Sequence, residues 1–240
     1  MIRAIIFDFN GVIADDETPH VVCFQQALSE FGLVLTATEY YETYLGMDER
    51  ACATMLLSAR DGTCDTMKLQ QVTDRKAELF RARTAQHKPL LFPGVVEFVK
   101  ATRPEYRLAI ASGGRREQID DALRKTAIEH DFELIVSADD CALGKPDPTI
   151  YLLTLQRLNE RCREPVPLVP EECVVIEDSV AGIQSAQAAG MWVIGLATTY
   201  RADRLAEADM VISSLQQVTP ETILRSLANS ASQAHRSDHP

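Results

Sequence analysis

The stretch Arg3-Ala4-Ile5-Ile6-Phe7-Asp8-Phe9-Asn10-Gly11-Val12-Ile13 decides how the chain is read. Its apolar run to Phe7 is too short for an isolated buried helix and suits a strand buried on both faces. Asp8 then falls at the carboxyl end of that strand, the edge where open α/β sheets place their ligands. A carboxylate there is costly unless a metal, a cation or hydrogen bonds compensate it. The same stretch also fits an ordinary loop Asp turning with Gly11. Taken alone it leaves the two readings level.

Working outward, the chain from Gly94 onward alternates helix and strand. A helix is expected at 94–102, then a strand from Tyr106 to Ala111 that runs into Ser112-Gly113-Gly114. A helix at 115–127 and a strand from Phe132 to Val136 follow. Next come the loop Leu143-Gly144-Lys145-Pro146-Asp147-Pro148 and a helix reaching Arg161. Cys173 to Ile176 reads as a strand ending in Glu177-Asp178, and the helix after Ser179 stops at Gly190. Trp192 to Leu196 and Met210 to Ile212 complete the pattern. The fold class expected is α/β: a Rossmann-like, doubly wound parallel sheet covered by helices.

Between the first strand and this alternation the pattern is helical only. Thr18 as N-cap with Pro19 at the first helical position starts a helix that runs to Phe31 and stops at Gly32. Further helices are expected at 37–45, 49–60 and 66–86, with no clear strand among them. Lys88-Pro89 and Pro93-Gly94 mark the return to the sheet. The expected organisation is a core of residues 1–14 and 90–228, an inserted all-helical cap of residues 15–89, and a flexible tail of residues 229–240.

With 240 residues, a net charge of -11 and a pI near 4.9, the chain carries a field that opposes nucleic acid and anionic membranes. No apolar run approaches the roughly 20 residues of a membrane helix. The N-terminus shows no signal-peptide pattern, and the six scattered cysteines form no CxxC pair. Both features suit the cytoplasm.

Ser112, Lys145 and the pair Glu177-Asp178 follow successive strands, so a doubly wound sheet converges them on the edge that holds Asp8. Carboxylates gathered this way repel unless a cation sits between them, and an all-oxygen set facing phosphate suits Mg²⁺. Blander readings stand beside these: Ser112 as a helix N-cap, Lys145 as a solvated lysine, Glu177 as one half of an ion pair.

Taken in order, Asp8-Phe9-Asn10-Gly11-Val12, Ser112, Gly144-Lys145-Pro146 and Glu177-Asp178-Ser179 resemble the four motifs of the haloacid dehalogenase (HAD) superfamily. The helical insert resembles the C1 cap of the subgroup holding β-phosphoglucomutase and small-molecule phosphatases. This resemblance implies that Asp8 attacks phosphorus and forms an aspartyl-phosphate. It implies that Asp8, the Asn10 carbonyl and Asp178 hold Mg²⁺, with Glu177 nearby or through water. Ser112 and Gly113 would face the phosphoryl group, and Lys145 would neutralise charge beside Asp8. A small phosphorylated metabolite is the implied partner, for a monomer or small homo-oligomer.

Asn10 departs from the family, whose phosphatases carry an acid–base Asp there. An amide cannot exchange a proton near neutral pH, and general acid–base catalysis is worth roughly 10²–10⁴ in rate. Three consequences stand open: a slow phosphatase favouring good leaving groups, a phospho-ligand-binding protein, or succinimide chemistry at Asn10-Gly11 that regenerates Asp. A phosphonoacetaldehyde hydrolase would need a cap lysine near 45–50, where none lies; Lys68 and Lys76 come later. A mutase is disfavoured by Glu49, where that branch places an arginine. His20 matches a cleft histidine of the mutase, able to meet a leaving group or to replace residue 10 in acid–base work; a surface histidine fits as well. Gly46 to Arg50 matches the substrate-reading loop, which makes Gly46 and Arg50 candidates for substrate contact.

Overall fold

The first apolar run forms the centre of the sheet. In the computed structural model, which describes residues 1–44, 47, 49–86, 90–124, 126–161 and 166–222, strand β1 spans Ala4–Phe7 and is fully buried. It pairs in parallel with β4 (Arg107–Ala111) on one side and β6 (Cys173–Glu177) on the other. With β5 (Leu134–Val136), β7 (Trp192–Leu196) and β8 (Met210–Ile212), the six parallel strands run in the order β5-β4-β1-β6-β7-β8. The chain builds outward from β1 in one direction and then, from β6, in the other. The switch point between β1 and β6 opens a crevice at their carboxyl ends.

The period-two alternation of β1 sets its two contacts. Ile5 and Phe7 join a core with α5 (Val95–Thr102) and α6 (Arg116–Leu123), where Phe7 meets Phe98 and Phe132 edge to face. Ala4 and Ile6 join a second core with α7 (Thr149–Arg161) and α8 (Val180–Ala188). Each fully buried Ile or Phe contributes about 1.5–3 kcal/mol, so helices cover both faces.

The insert supplies a third core. Helices α1 (Glu17–Glu30), α3 (Glu49–Asp61) and α4 (Thr66–Gln86) pack Phe24, Leu28, Leu57 and Val72 together with Tyr40. The short α2 (Ala37–Glu39) leads into a π-helical turn at Tyr40–Tyr44. Two short strands missing from the sequence reading, β2 (Ala14–Asp15) and β3 (Leu90–Leu91), pair antiparallel where the chain leaves and re-enters the core. Two residues are too few to carry an alternation pattern, which is why they escape detection.

Several boundaries differ from expectation, among them the start of β5, at Leu134 rather than Phe132. Helix α1 begins at Glu17 with Asp16, not Thr18, at the N-cap, and Pro19 sits third in the first turn. Proline is tolerated there because that turn's N–H groups lack intrahelical partners. Helix α6 ends at Leu123 rather than 127, because both Thr126 N and Thr126 Oγ1 donate to the Leu123 carbonyl and turn the chain. The helix expected at 37–45 is divided between α2 and the π turn. The expected tail at 229–240 lies outside the described residues.

Candidate active site

Asp8 leaves β1 with its N–H donated to the Ile176 carbonyl, so it stands beside the end of β6. Lys145 reaches over from the loop before α7 and donates from Nζ to Asp8 Oδ1 at 2.8 Å and to Glu177 Oε1 at 2.5 Å. Tyr151 OH on α7 donates to the same Glu177 oxygen at 2.9 Å. The other oxygen, Oε2, accepts from Asp178 N, Ser179 N and Ser179 Oγ. Glu177 is thus a buried clamp that fixes Lys145 and the start of α8, whose N-cap Ser179 accepts from Gly182 N. Lys145 is not a solvated lysine; its ammonium is enclosed between two carboxylates.

Ligand oxygens of Asp8, Glu177 and Asp178 lie within 4.8 Å of one another. Burial and Glu177 push the Asp8 carboxyl up to about 7 against the pull of Lys145. Burial, Glu177 and Asp8 hold Asp178 well above its ordinary range. One lysine does not balance three enclosed carboxylates, so the donor set fits a divalent cation that favours oxygen. Gly11 makes room for this approach. It adopts a φ of 79°, and a Cβ there would fall 2.0 Å from Asp178 Oδ2.

Ser112 is fully buried, accepts from Gly114 N at 3.0 Å and donates to Asn10 Oδ1 at 3.3 Å. It does not cap α6, whose N-cap is Arg115. Asn10 turns its amide nitrogen toward the cap, to Asp16 Oδ2 at 2.8 Å and His20 Nε2 at 3.1 Å. Gly11 N donates to Ala14 O. These bonds oppose succinimide closure, which needs that nitrogen to attack the Asn10 side chain.

His20 is no surface residue. Its ring packs on Phe80 with centroids 4.1 Å apart, and its Nδ1 faces Lys76 Nζ and Glu49 Oε1. Burial and Lys76 pull its pKa down, but Asp16 and Glu49 outweigh them and raise it. Lys76 is buried and paired with Glu49. Neither the sequence pattern nor the spacing identified Asp16, Glu49, Lys76 or Tyr151 as parts of this network.

A cavity of about 110 Å³ lies between the strand ends and the cap, walled by Asp8, Asn10, His20, Gly113, Lys145 and Asp178, among others. Glu17, Tyr40, Glu49, Ser179 and Thr199 complete its polar lining, none of them expected to contact substrate. Arg50 does not line it. That exposed side chain borders an adjoining cleft of about 270 Å³ together with Arg115 and Gly113. Gly46 lies outside the described residues. Lys76 is absent from the cavity wall, which disfavours it as the Schiff-base lysine of a phosphonoacetaldehyde hydrolase.

A family model described as haloacid dehalogenase-like hydrolase matches residues 2–190. The chain belongs to this hydrolase family. It is 31% identical over 194 residues to the phosphorylated carbohydrates phosphatase of Thermotoga maritima, covering 79% of this chain and 82% of that protein. It is 32% identical to CbbY of Rhodobacter capsulatus over 92% of this chain and 97% of CbbY. Among solved structures, CbbY of Rhodobacter sphaeroides in complex with phosphate aligns with a TM-score of 0.74 and 27% identity, over 90% of this chain and 95% of that one. A β-phosphoglucomutase from Clostridium difficile shares the fold, with a TM-score of 0.83 at 21% identity over 96% and 99% of the two chains. The HAD enzyme thus has an α/β core with parallel strands, as its alternating sequence required.

Proposed function

We propose that this HAD hydrolase is a Mg²⁺-dependent phosphatase of small phosphorylated metabolites, working through an aspartyl-phosphate on Asp8. The observation that carries this reading is the enclosure of Asp8 by Lys145, Glu177 and Asp178 at the strand ends, facing a cavity roofed by the helical insert. The division into a core of 1–14 and 90–228 and a cap of 15–89 belongs to the same proposal. So does a cytoplasmic location, supported by free thiols at Cys23, Cys52, Cys64, Cys141 and Cys173. Among the described residues no helix is long and apolar enough to cross a membrane.

Asp8, the Asn10 carbonyl and Asp178 would hold the cation, with Glu177 beside them; the ion supplies charge stabilisation to the phosphoryl oxygens. Asp8 attacks phosphorus through the carboxylate oxygen, and the bond to the leaving oxygen breaks. Lys145 offsets charge next to the nucleophile. The backbone at Gly113 and Gly114 orients the phosphoryl group, and the buried Ser112 Oγ holds that backbone by accepting from Gly114 N. Such positioning and charge compensation carry most of phosphoryl transfer. Since Asn10 cannot exchange the proton, His20 takes its place: it gives a proton to the departing oxygen and later accepts one from the attacking water.

Sugar phosphates are the first substrates to examine, given the phosphorylated carbohydrates phosphatase and CbbY among its relatives. The rival reading is a phospho-ligand-binding protein, favoured by the Asn10 amide. A variant of CbbY has been crystallised with xylulose-(1,5)bisphosphate. A phosphatase screen over sugar, nucleotide and acyl phosphates with Mg²⁺ separates the two. Turnover that Asp8→Asn abolishes supports the enzyme. Tight phosphate-ester binding with no turnover in wild type or Asn10→Asp supports the binding protein.

A further inference from the structure

We propose that the cavity between α4 and α6 is a second small-molecule site, for a neutral heterocycle of one or two rings bearing a lactam or carboxamide. The site lies outside the machinery around Asp8, and its occupancy does not depend on the phosphatase reading above. It encloses about 220 Å³. A cavity of roughly 150 Å³ already accepts benzene, so a pyridine, pyrimidine or purine ring has room.

Helix α4 of the insert supplies Phe80, Thr84 and Ala85 to the wall, and α6 of the core supplies Gln118, Asp121 and Ala122. Phe80 and Ala122 are buried and apolar. The two arginines at the cavity have their own counter-charges, Arg81 with Glu117 at 3.4 Å and Arg124 with Asp121 at 2.7 Å. The surroundings are therefore balanced in charge and favour a neutral occupant. Thr84 Oγ1 already donates to the Phe80 carbonyl at 2.9 Å. What selects among neutral occupants is Gln118. Its side-chain oxygen and nitrogen are both buried, and neither has a hydrogen-bond partner among the described residues. Leaving such groups unpaired is costly, so packing alone does not account for a glutamine there. The amide lies just beneath the wall, and turning it toward the cavity breaks no existing hydrogen bond. A lactam or carboxamide edge then pairs with it both ways: its N–H donates to Gln118 Oε1, and its carbonyl accepts from Nε2. The rival is a single water in the adjoining pocket of about 20 Å³, which Gln118 also walls.

One ring joins this site to the Asp8 cavity. Phe80 walls the second site and packs on His20, which walls the first. An occupant that touches α4 and α6 together binds best while the insert is held against the core. It therefore favours the closed arrangement through its differential affinity. A phosphate held in the Asp8 cavity, which is also walled from both parts, favours the same arrangement. By reciprocity each ligand then tightens the other.

The test titrates nicotinamide, toluene as a ring without an amide, and benzoate as a charged ring into nitrogen-15-labelled protein. Binding is read by two-dimensional NMR from the backbone signals of α4 and α6 and, in wild type, from the Gln118 side-chain amide. The variants are Gln118→Leu and Ala85→Trp, the latter filling the cavity from an exposed position. Nicotinamide is expected to move these signals with a Kd of about 1 mM or tighter, and benzoate to bind more weakly. Gln118→Leu is expected to weaken nicotinamide about tenfold and to leave toluene unchanged. It should also keep wild-type stability, since no internal hydrogen bond is lost. Ala85→Trp should abolish binding of all three. Mg²⁺ with inorganic phosphate should tighten nicotinamide about fivefold or more. No shifts at tens of millimolar, or nicotinamide affinity unchanged in Gln118→Leu, overturns the site and leaves the single water as the partner of Gln118. Nicotinamide binding that Mg²⁺ with phosphate does not tighten overturns the coupling to the Asp8 cavity. A wild type that turns over no phosphate ester, yet binds nicotinamide through Gln118, sinks the phosphatase reading and supports this site.

Discussion

At the scale of single residues, Lys145 carries the electrostatic balance of the site. Its Nζ lies between Asp8 and Glu177, both buried. Removing one partner from such a cluster costs about 3–5 kcal/mol, because it leaves the others uncompensated. Lys145→Ala is therefore expected to lose stability on that order in metal-free protein, with part regained on adding Mg²⁺, as read by denaturant midpoints. A loss below about 1 kcal/mol would contradict the buried triad geometry. Metal binding should also depend on pH with a definite sign. The Asp8 carboxyl is pushed up to about 7 in the fold. Its contribution favours the metal-free fold at acid pH and fades as pH rises through 7. Mg²⁺ should therefore raise Tm more at pH 8 than at pH 5.5. At a hundredfold excess over Kd the gain is about 2.7 kcal/mol, or roughly 5–10 °C for a chain of this size. A pH-independent gain, or one that survives Asp178→Ala, would count against the proposed ligand set.

At the scale of elements, close approach of helix α8 to strand β6 makes the clamp. Gly182 lies in the first turn of α8, and a Cβ there would fall 1.8 Å from Glu177 Oε1. Gly182→Ala must displace either the helix or the Glu177 carboxylate. Overpacking of this kind costs about 1–3 kcal/mol, and more where a buried polar network breaks with it. Urea unfolding should show that loss, with reduced turnover; a variant within about 0.5 kcal/mol of wild type would mean the helix yields freely. Elements also explain what the sequence disclosed. Asp8, Ser112 and Glu177-Asp178 were legible because each directly follows or ends an apolar strand, and parallel strands bring such ends to one edge. Lys145 was legible only with its bracketing prolines and the family resemblance. Asp16, Glu49, Lys76 and Tyr151 were not, because they meet from α1, α3, α4 and α7. No local pattern records which faces of separate helices come together. The start of α1 was misplaced for a related reason: Thr18-Pro19 has good capping chemistry locally, but Asp16 is drawn to Asn10 and the helix begins two residues earlier.

At the scale of the molecule, the cavity exists only where the insert meets the sheet. Its wall combines Asp8 and Lys145 of the core with Tyr40 and Glu49 of the insert. The two chain crossings are tied by the β2–β3 pair, and α4 also meets the α6 region through Arg81–Glu117 and Asp74–Arg115, each 3.4 Å apart. These groups are substantially exposed, so each pair contributes at most about 1 kcal/mol and is weakened by salt. That is too little to hold the fold together, yet about 1.4 kcal/mol already shifts a two-state closure tenfold. If release of product through cap opening limits turnover, loosening these pairs should raise kcat without unfolding the protein. Asp74→Ala with Glu117→Ala tests this while leaving Arg115 in place at the adjoining cleft. The expected result is a kcat raised several-fold at low salt, a raised KM, and a weaker dependence of kcat on solvent viscosity. Global stability should stay within about 1 kcal/mol, as expected for two exposed pairs. An unchanged kcat with unchanged viscosity dependence would show that these contacts do not restrain opening, and closure would then depend on the contacts of Asn10 in the core with Asp16 and His20 of the insert.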